Sequence, residues 1–502
     1  MITAITRSRR SRDLGMNGLR CLLGCRFSNR FRQTLILAFA LALVGAKPAM
    51  ALWSTNPSQN NEICTTVTGK QSQQVIADGS GGAYICWTDS RNGTNICAQH
   101  MNADGALTWA ADGVIVCNLP YTQSTPAMVS DGAGGAIIVW RDFRASPDPF
   151  NPSPQIIAQR LGPNGNAMWT TAGVVLCSAA RNRMRLLAVS DGLGGVIAAW
   201  RDFRNGVNYT IYAQRVDSSG QAQWTTDGLG IVVLGSDHDN QTIAADGSGG
   251  AFCAWEDYRS GPSDIYAQHV TSNGGFSWTA NGIAICSELG YQTTPSIAPD
   301  GSSGAYLCWQ DAQIGGYAIV QRVASNGATM WSANGTSVSL TSRVPQMVST
   351  PAGVLIATGT PNGYFEIRVQ LVSPLGVVQW PSPGAVVSQP SMIAGLFAIT
   401  DDGSAGMIVS WTQDLGGGNT GILAQRVTSS GIASWTQYGV IVCNAANSRS
   451  SPLLANLLNS GYVDVWLDKR TNSGNDIYGS RLNTSGQLAG PVSAVSEWLQ
   501  FD

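Results

Sequence analysis

From Trp53 onward the chain is a succession of short apolar runs broken by glycine-rich polar punctuation. The stretch Ser190 to Arg215 shows the unit. It holds a turn (Asp191, Gly192, Gly194, Gly195), an apolar run Val196 to Trp200, a polar corner with Asp202 and Arg204, and a second run through Gln214. Such runs, rich in β-branched and aromatic residues and bounded by Gly, Asp, Asn and Ser, read as strands. No stretch carries helical periodicity with caps over a useful length.

The unit recurs. Trp87, Trp140, Trp200, Trp255, Trp309, Trp411 and Trp466 hold one position, and a degenerate copy without Trp lies near Ala357, making eight copies. A second series interleaves with the first: Trp53, Trp109, Trp169, Trp224, Trp278, Trp331, Trp380 and Trp435. In the third copy, strand A is expected at Leu186 to Ser190, B at Val196 to Trp200 and C at Ile211 to Val216. Strand D is expected to start at Trp224 and continue through Gly230 to Val233. Four antiparallel strands per repeat, at a period slightly above the roughly 40–50 residues of common propeller repeats, predict one blade per copy. A lone blade cannot bury its faces, so blades pack in a ring with the tryptophans between them.

The phase of the ends supports closure. Trp53 to Cys64 is a strand-D-like segment, and the eighth copy supplies A, B and C, ending at Ile477 to Leu482. The expectation is an all-β, eight-bladed propeller of four-stranded antiparallel blades, closed by the N-terminal strand so that no edge is exposed. Gly486 to Ser496 is the competing source of the last D strand.

Ahead of the repeats, Arg9, Arg10, Arg12, Arg20, Arg26, Arg30 and Arg32 precede the apolar run Leu35 to Ala46 and the small-residue site Ala49-Met50-Ala51. That order reads as a signal peptide cleaved after Ala51. The run is too short to span a bilayer as a helix. The expected organisation is residues 1–51 signal peptide, 52–490 propeller and 491–502 C-terminal tail, with a secreted or periplasmic, monomeric mature protein that has no membrane span.

The repeat pattern resembles TolB-type and WD-repeat-like propellers. The likeness rests on Pro126 to Gly132, then Trp140, Asp142 and Arg144, and on Ile265-Tyr266. It is similar, more closely, to exported bacterial repeat proteins built on D-G-x-G-G, W-x-D-x-R, Y-A-Q-R and G-x-x-x-W. The resemblance covers Trp53 to Leu482 and implies a propeller fold; it implies no particular ligand or reaction.

Charge narrows the functions. Charged residues make up 12% of the chain and the net charge is -2, so no basic excess exists to neutralise phosphates, and nucleic acid is excluded as a partner. Of the 11 Cys, five (Cys64, Cys117, Cys177, Cys286, Cys443) share one repeat position and read as small buried residues, not as a disulfide framework. Cys86 and Cys97 flank one hairpin and are the one pair placed to bridge.

Repetition also weighs on the candidate chemistry. Asp89/Arg91, Asp142/Arg144, Asp202/Arg204, Asp257/Arg259 and Asp468/Arg470 resemble acid–base pairs, but recurrence makes them a corner brace, the carboxylate capping backbone N–H groups. Asp78, Asp131, Asp191 and Asp246 in the D-G-x-G-G turns supply one carboxylate each, which does not amount to a calcium loop motif; no cofactor is implied. His100 and His269 stand where other copies carry Arg160, Arg215, Arg322 and Arg426, and read as structural. No G-x-S-x-G, H-E-x-x-H or paired C-x-x-C occurs.

Positions that do not repeat are the better guide to function. The B–C and D–A loops open on one face, and it carries Arg181, Arg183 and Arg185, then Asp237, His238 and Asp239, then Tyr121 and Tyr291, with Glu288, Arg343 and Arg449. The Arg trio suits an anion or acidic glycan. The Asp-His-Asp triplet suits a polar ligand, a metal, or a general base with its carboxylate partner. The leading expectation is a non-catalytic binding or scaffold propeller for a glycan or an envelope protein. The rival is a polysaccharide lyase or glycoside hydrolase at the channel mouth, which requires Asp237, His238 and Arg183 to converge in one funnel. A third possibility is a module without a ligand inside an envelope assembly.

Overall fold

The computed structural model describes residues 52–490 apart from 68, 147–151, 314–315, 342, 360–365, 390–393 and 472–473. The signal-peptide and C-terminal-tail readings lie outside the described residues, as do residues 147–151 of the loop between strands B and C of blade 2. The repeats fold into eight four-stranded antiparallel sheets. One 3-10 turn, Leu458–Ser460, is the helical element among the described residues.

Blade 3 shows the common plan: A Arg183–Ser190, B Val196–Asp202, C Thr210–Val216 and D Leu229–Val232. Blade 8 combines Arg449–Asn456, Tyr462–Asp468 and Asp476–Leu482 with the N-terminal strand Asn61–Cys64. The closing register pairs Asn61 with Gly479 and Glu62 with Tyr478. Leu488 makes only an isolated bridge to Leu482, as Leu107 does to Met101 and Ala222 to Val216 in other blades. That bridge belongs to the C–D turn, so the N-terminus supplies strand D.

Strand A of each blade packs against strand A of both neighbours, so the A strands line the axis and the D strands form the rim. The start of A, the end of B and the start of C share one face, since Arg183 pairs with Asp202 and Asp202 with Thr210. That is the loop-rich face.

Two local expectations are corrected. Trp224 lies ahead of strand D, not in it, because its ring serves the next blade. Its Nε1 donates to Ser272 O at 3.0 Å. All eight second-series tryptophans do the same; Trp53 reaches Ala103 O at 2.9 Å and Trp435 reaches Thr484 O at 3.2 Å. Each ring also covers a left-handed glycine of that turn, as Trp169 covers Gly220, where a Cβ would come within 3.1 Å of the indole. Cys86 and Cys97, in turn, are both free and buried. Cys86 pairs with Ala98 and Trp87 with Cys97, so the two thiols point to opposite faces of the sheet and cannot meet.

The corner brace has a wider role than capping. Asp202 Oδ1 accepts from Arg204 N at 2.8 Å, and Oδ2 accepts from Trp200 Nε1 at 2.8 Å and Arg204 Nη2 at 2.7 Å. Arg204 Nη2 also reaches Cys177 Sγ of the preceding blade at 3.3 Å and Asp227 O at 2.8 Å. Arg91–Cys64, Arg144–Cys117 and Arg470–Cys443 repeat this clasp, each at 3.3 Å. Four of the five recurrent cysteines are therefore buried acceptors for the next blade's arginine; Cys286 faces blade 5, where Gln313 stands in the arginine's place. On the opposite face the D-G-x-G-G carboxylates cap their own turns, as Asp131 does for Ala133 N and Gly135 N, and pair with strand C through Arg160 at 2.9 Å. His100 and His269 fill that arginine position against Asp78 and Asp246, each at 2.9 Å.

Candidate functional site

At the joint between blades 3 and 4 the Cys position is Val232, and Arg259 is left with Asp257 and Asn281 O as its partners. On the loop-rich face of this joint lies a cavity of about 560 Å³, lined by Arg201, Gly235, Ser236, Asp237, Asp239, Tyr258 and Arg259.

Each wall follows from the blade plan. Arg201 is the residue between the strand-B Trp and the corner Asp of blade 3. It faces strand A of blade 4, where Nε donates to His238 O at 2.8 Å and Nη1 lies 3.2 Å from Asp239 Oδ1. Its guanidinium sits 4.3 Å from the centre of the Tyr209 ring. Asp239 is shared, since Arg185 Nε also reaches Oδ1 at 2.9 Å. Asp237 Oδ1 accepts from Tyr209 N at 2.8 Å, which fixes the D–A loop against the B–C loop.

The far wall belongs to blade 4. Tyr258 Oη donates to Glu256 Oε2 at 3.0 Å, while Glu256 Oε1 accepts from Asn240 Nδ2 and Thr294 N, each at 2.7 Å. Burial, and then the Glu256 charge, push the Tyr258 phenol up to about 12. The phenol is thus protonated at neutral pH. Burial alone raises the pKa of Asp257, but hydrogen bonds from His238, Arg259 and Trp255 outweigh it and hold this carboxyl well below the usual range.

The sequence-predicted residues divide. Asp237 and Asp239 line the cavity, and Arg185 reaches it through Asp239. Arg183 and His238 have 0% exposure. They are the first residues of strand A in blades 3 and 4, not loop residues, and each faces its own corner Asp: Arg183–Asp202 at 3.3 Å and His238–Asp257 at 3.4 Å. Arg183 Nη1 also donates to Pro154 O, and His238 Nδ1 lies 3.1 Å from Tyr209 O. Neither presents a polar atom to a ligand: the Arg183 guanidinium is taken up by Asp202 and backbone carbonyls, and the His238 ring nitrogens face Asp257 and Tyr209 O. The Asp237, His238 and Arg183 funnel required by the catalytic expectation is therefore not formed.

Arg181, Tyr121 and Tyr291 do not line the cavity. Arg181 is exposed, with its guanidinium over Gly206. Tyr121 and Tyr291 are 59% and 57% exposed in the D–A turns ahead of blades 2 and 5. Glu288 accepts from Asn334 Nδ2 at 2.9 Å, and Arg449 is buried against Asp468 at 3.2 Å. Sequence reasoning missed Arg201, Tyr258, Glu256 and Tyr209, and read Arg259 as a corner brace alone. The signal that finds Arg201 and Glu256 is the variable residue inside W-x-D, which reads Thr88, Arg141, Arg201, Glu256 and Gln310 through blades 1 to 5.

No protein-family model and no curated protein match the chain, so the motif resemblance stays a likeness of blade pattern. Solved structures resemble the chain weakly. A protein of unknown function from Dyadobacter fermentans is 11% identical, covering 75% of this chain and 98% of its own, with a TM-score of 0.36. A family PL25 ulvan lyase bound to a glucuronate–sulfated rhamnose ligand is 12% identical over 73% of this chain and 94% of its own, at 0.43. A Penicillium chrysogenum α-L-arabinanase is 13% identical over 57% of this chain and 87% of its own, at 0.34. Likeness at this level carries no functional information.

Proposed function

We propose that this protein is an exported binding propeller that takes a glycan in the cavity between blades 3 and 4. One observation carries the reading: two guanidiniums (Arg201, Arg259), two carboxylates (Asp237, Asp239) and a tyrosine face one cavity from strands and loops of two blades. Planar donors and acceptors beside an aromatic ring suit the hydroxyls and ring face of a sugar, and few such groups fix a ligand's orientation. Arg201 is paired with Asp239 and Arg259 with Asp257, while Asp237 is held by the Tyr209 amide. Tyr258 is held protonated, so it donates a hydrogen bond instead of abstracting a proton. This favours binding over lyase chemistry.

The test is a glycan array with the purified protein, followed by calorimetry on D239A and Y258A. Each variant is expected to weaken binding at least tenfold. Binding unchanged by both, or no glycan bound, sinks the proposal. New reducing ends or unsaturated uronate in the same incubations, lost in Y258F, establish the catalytic rival in its place.

A further inference from the structure

Among the described residues, Arg141 carries a charge that no carboxylate pairs. It occupies in blade 2 the place of Arg201 in blade 3, between the strand-B Trp and the corner Asp. For Arg201 the second residue of the next strand A is Asp239, 3.2 Å away. The equivalent residue for Arg141, second in strand A of blade 3, is Met184. Arg141 Nη2 donates to Asn182 Oδ1 at 3.2 Å, and its Nε is buried with no partner. Its guanidinium lies 5.2 Å from the centre of the Phe143 ring. Among the described residues no carboxylate forms an ion pair with it. Burial lowers its pKa, whereas Arg144, bonded to Asp142, is held above the ordinary value.

Asn182 and Tyr209 link this charge to the cavity wall. Asn182 Nδ2, beside Arg141, lies 3.5 Å from Tyr209 Oη, and the Tyr209 ring lies under Arg201. A half-buried cation is unfavourable without an anion, and the guanidinium fork matches a carboxylate or sulfate bidentately. Blade 1 shows that the fold does not demand arginine here, for it carries Thr88.

We propose that Arg141 is an anion subsite next to the cavity, and that the ligand is an acidic linear glycan. A hydroxyl-bearing sugar sits at Asp239 and Tyr258, and the carboxylate or sulfate of a neighbouring sugar sits on Arg141. This assignment rests on the glycan reading of the cavity.

Calorimetry with matched pairs tests it: uronate oligosaccharides against their methyl esters, and sulfated oligosaccharides against their desulfated forms. The protein is expected to bind the acidic member of one pair at least tenfold more tightly, and the responding pair identifies the anion. R141Q is expected to reduce that preference below threefold while leaving the neutral member's affinity unchanged. R141K, which keeps the charge and loses the fork, is expected to fall between. A preference that survives in R141Q overturns the subsite and leaves the cavity reading standing. Affinities for both members unmoved by D239A overturn the cavity reading, and the subsite with it. Independently of any sugar, sodium sulfate at matched ionic strength is expected to raise Tm more in the wild type than in R141Q. An equal response in the two, with no acidic oligosaccharide preferred, also overturns the subsite.

Discussion

At the scale of single residues, the departures from the repeat carry the information. Asp464 is one. Its position in strand B holds Ile85, Ile138, Ala198, Cys253, Leu307 and Val409 in other blades, all packed into inter-blade layers. Asp464 has 0% exposure, and its Oδ2 accepts from Ser410 Oγ across the joint between blades 7 and 8. Burial pushes its pKa up to about 8, the hydrogen bond from Ser410 opposing only in part. The sign follows from proton uptake. Between the unfolded value, near 4, and about 8, the folded state holds a proton that the unfolded state has lost. Stability therefore falls as pH rises through that window, by up to about 1.4 kcal/mol per unit. D464N is expected to flatten this slope in urea titrations run from pH 5 to pH 8, and a wild-type slope of zero would refute the burial argument. Tyr121 is the second departure. Its φ is 79°, in a turn where Gly290 (99°) and Asn447 (77°) hold the same place in other blades. A tyrosine there is strained by roughly 1 kcal/mol. Y121G is expected to raise stability by about that amount, read as a shift of the urea midpoint at unchanged m-value.

At the scale of strands and joints, the legible and illegible parts separate cleanly. The two tryptophan series made the blades readable, because a large aromatic recurring in phase has few uses outside a repeated layer. Closure was readable from Trp53, which has no strand-B partner in sequence. The site was half-readable. Asp237 lies in a loop that breaks the pattern, with Asp239 just after it in strand A, whereas Arg201 and Glu256 hide inside W-x-D-x-R, whose fixed residues mask the variable one. Arg183 and His238 misled because strand A starts three residues earlier than apolar patterning shows. Polar residues begin the strand, since each faces the corner Asp and not the apolar layer. The cysteine clasp was illegible, because its arginine and thiol sit in different repeats. It makes a prediction at this scale. R204A removes one of the two cations at a buried carboxylate, Arg183 staying in place, and is expected to cost about 1.5–3 kcal/mol. C177V is expected to cost under about 1.5 kcal/mol, because Val232 fills the same place at the next joint. Equal losses in chemical denaturation would show that the sulfur, and not the Asp202 pair, anchors the clasp.

At the scale of the whole molecule, the ring depends on a strand that is far away in sequence. Trp53 is 2% exposed and ties blade 8 to blade 1 through Ala103 O. Asn60 Nδ2 bonds Val442 O and Ser480 Oγ, and Arg470 Nη1 reaches Gln59 O, so the N-terminal segment is held by blades 7 and 8 together. W53A is expected to lose about 3–5 kcal/mol, as for other buried aromatics. Deleting residues 52–64 has a different consequence. It removes the partner of Asp476–Leu482 and exposes that strand's unpaired N–H and C=O groups. The seven-residue edge so exposed is longer than the two- to six-residue D strands at the rim of the other blades, and a long edge is a template for a second chain. The deletion is therefore expected to give dimers or higher species in light scattering, and adding a peptide of sequence 52–64 is expected to return them to monomer. W53A, which keeps the backbone pairing, is expected to stay monomeric though less stable. A deletion variant that remains a monomer with unchanged Tm would mean that the ring is held by its tryptophan layers alone, with the closing strand dispensable.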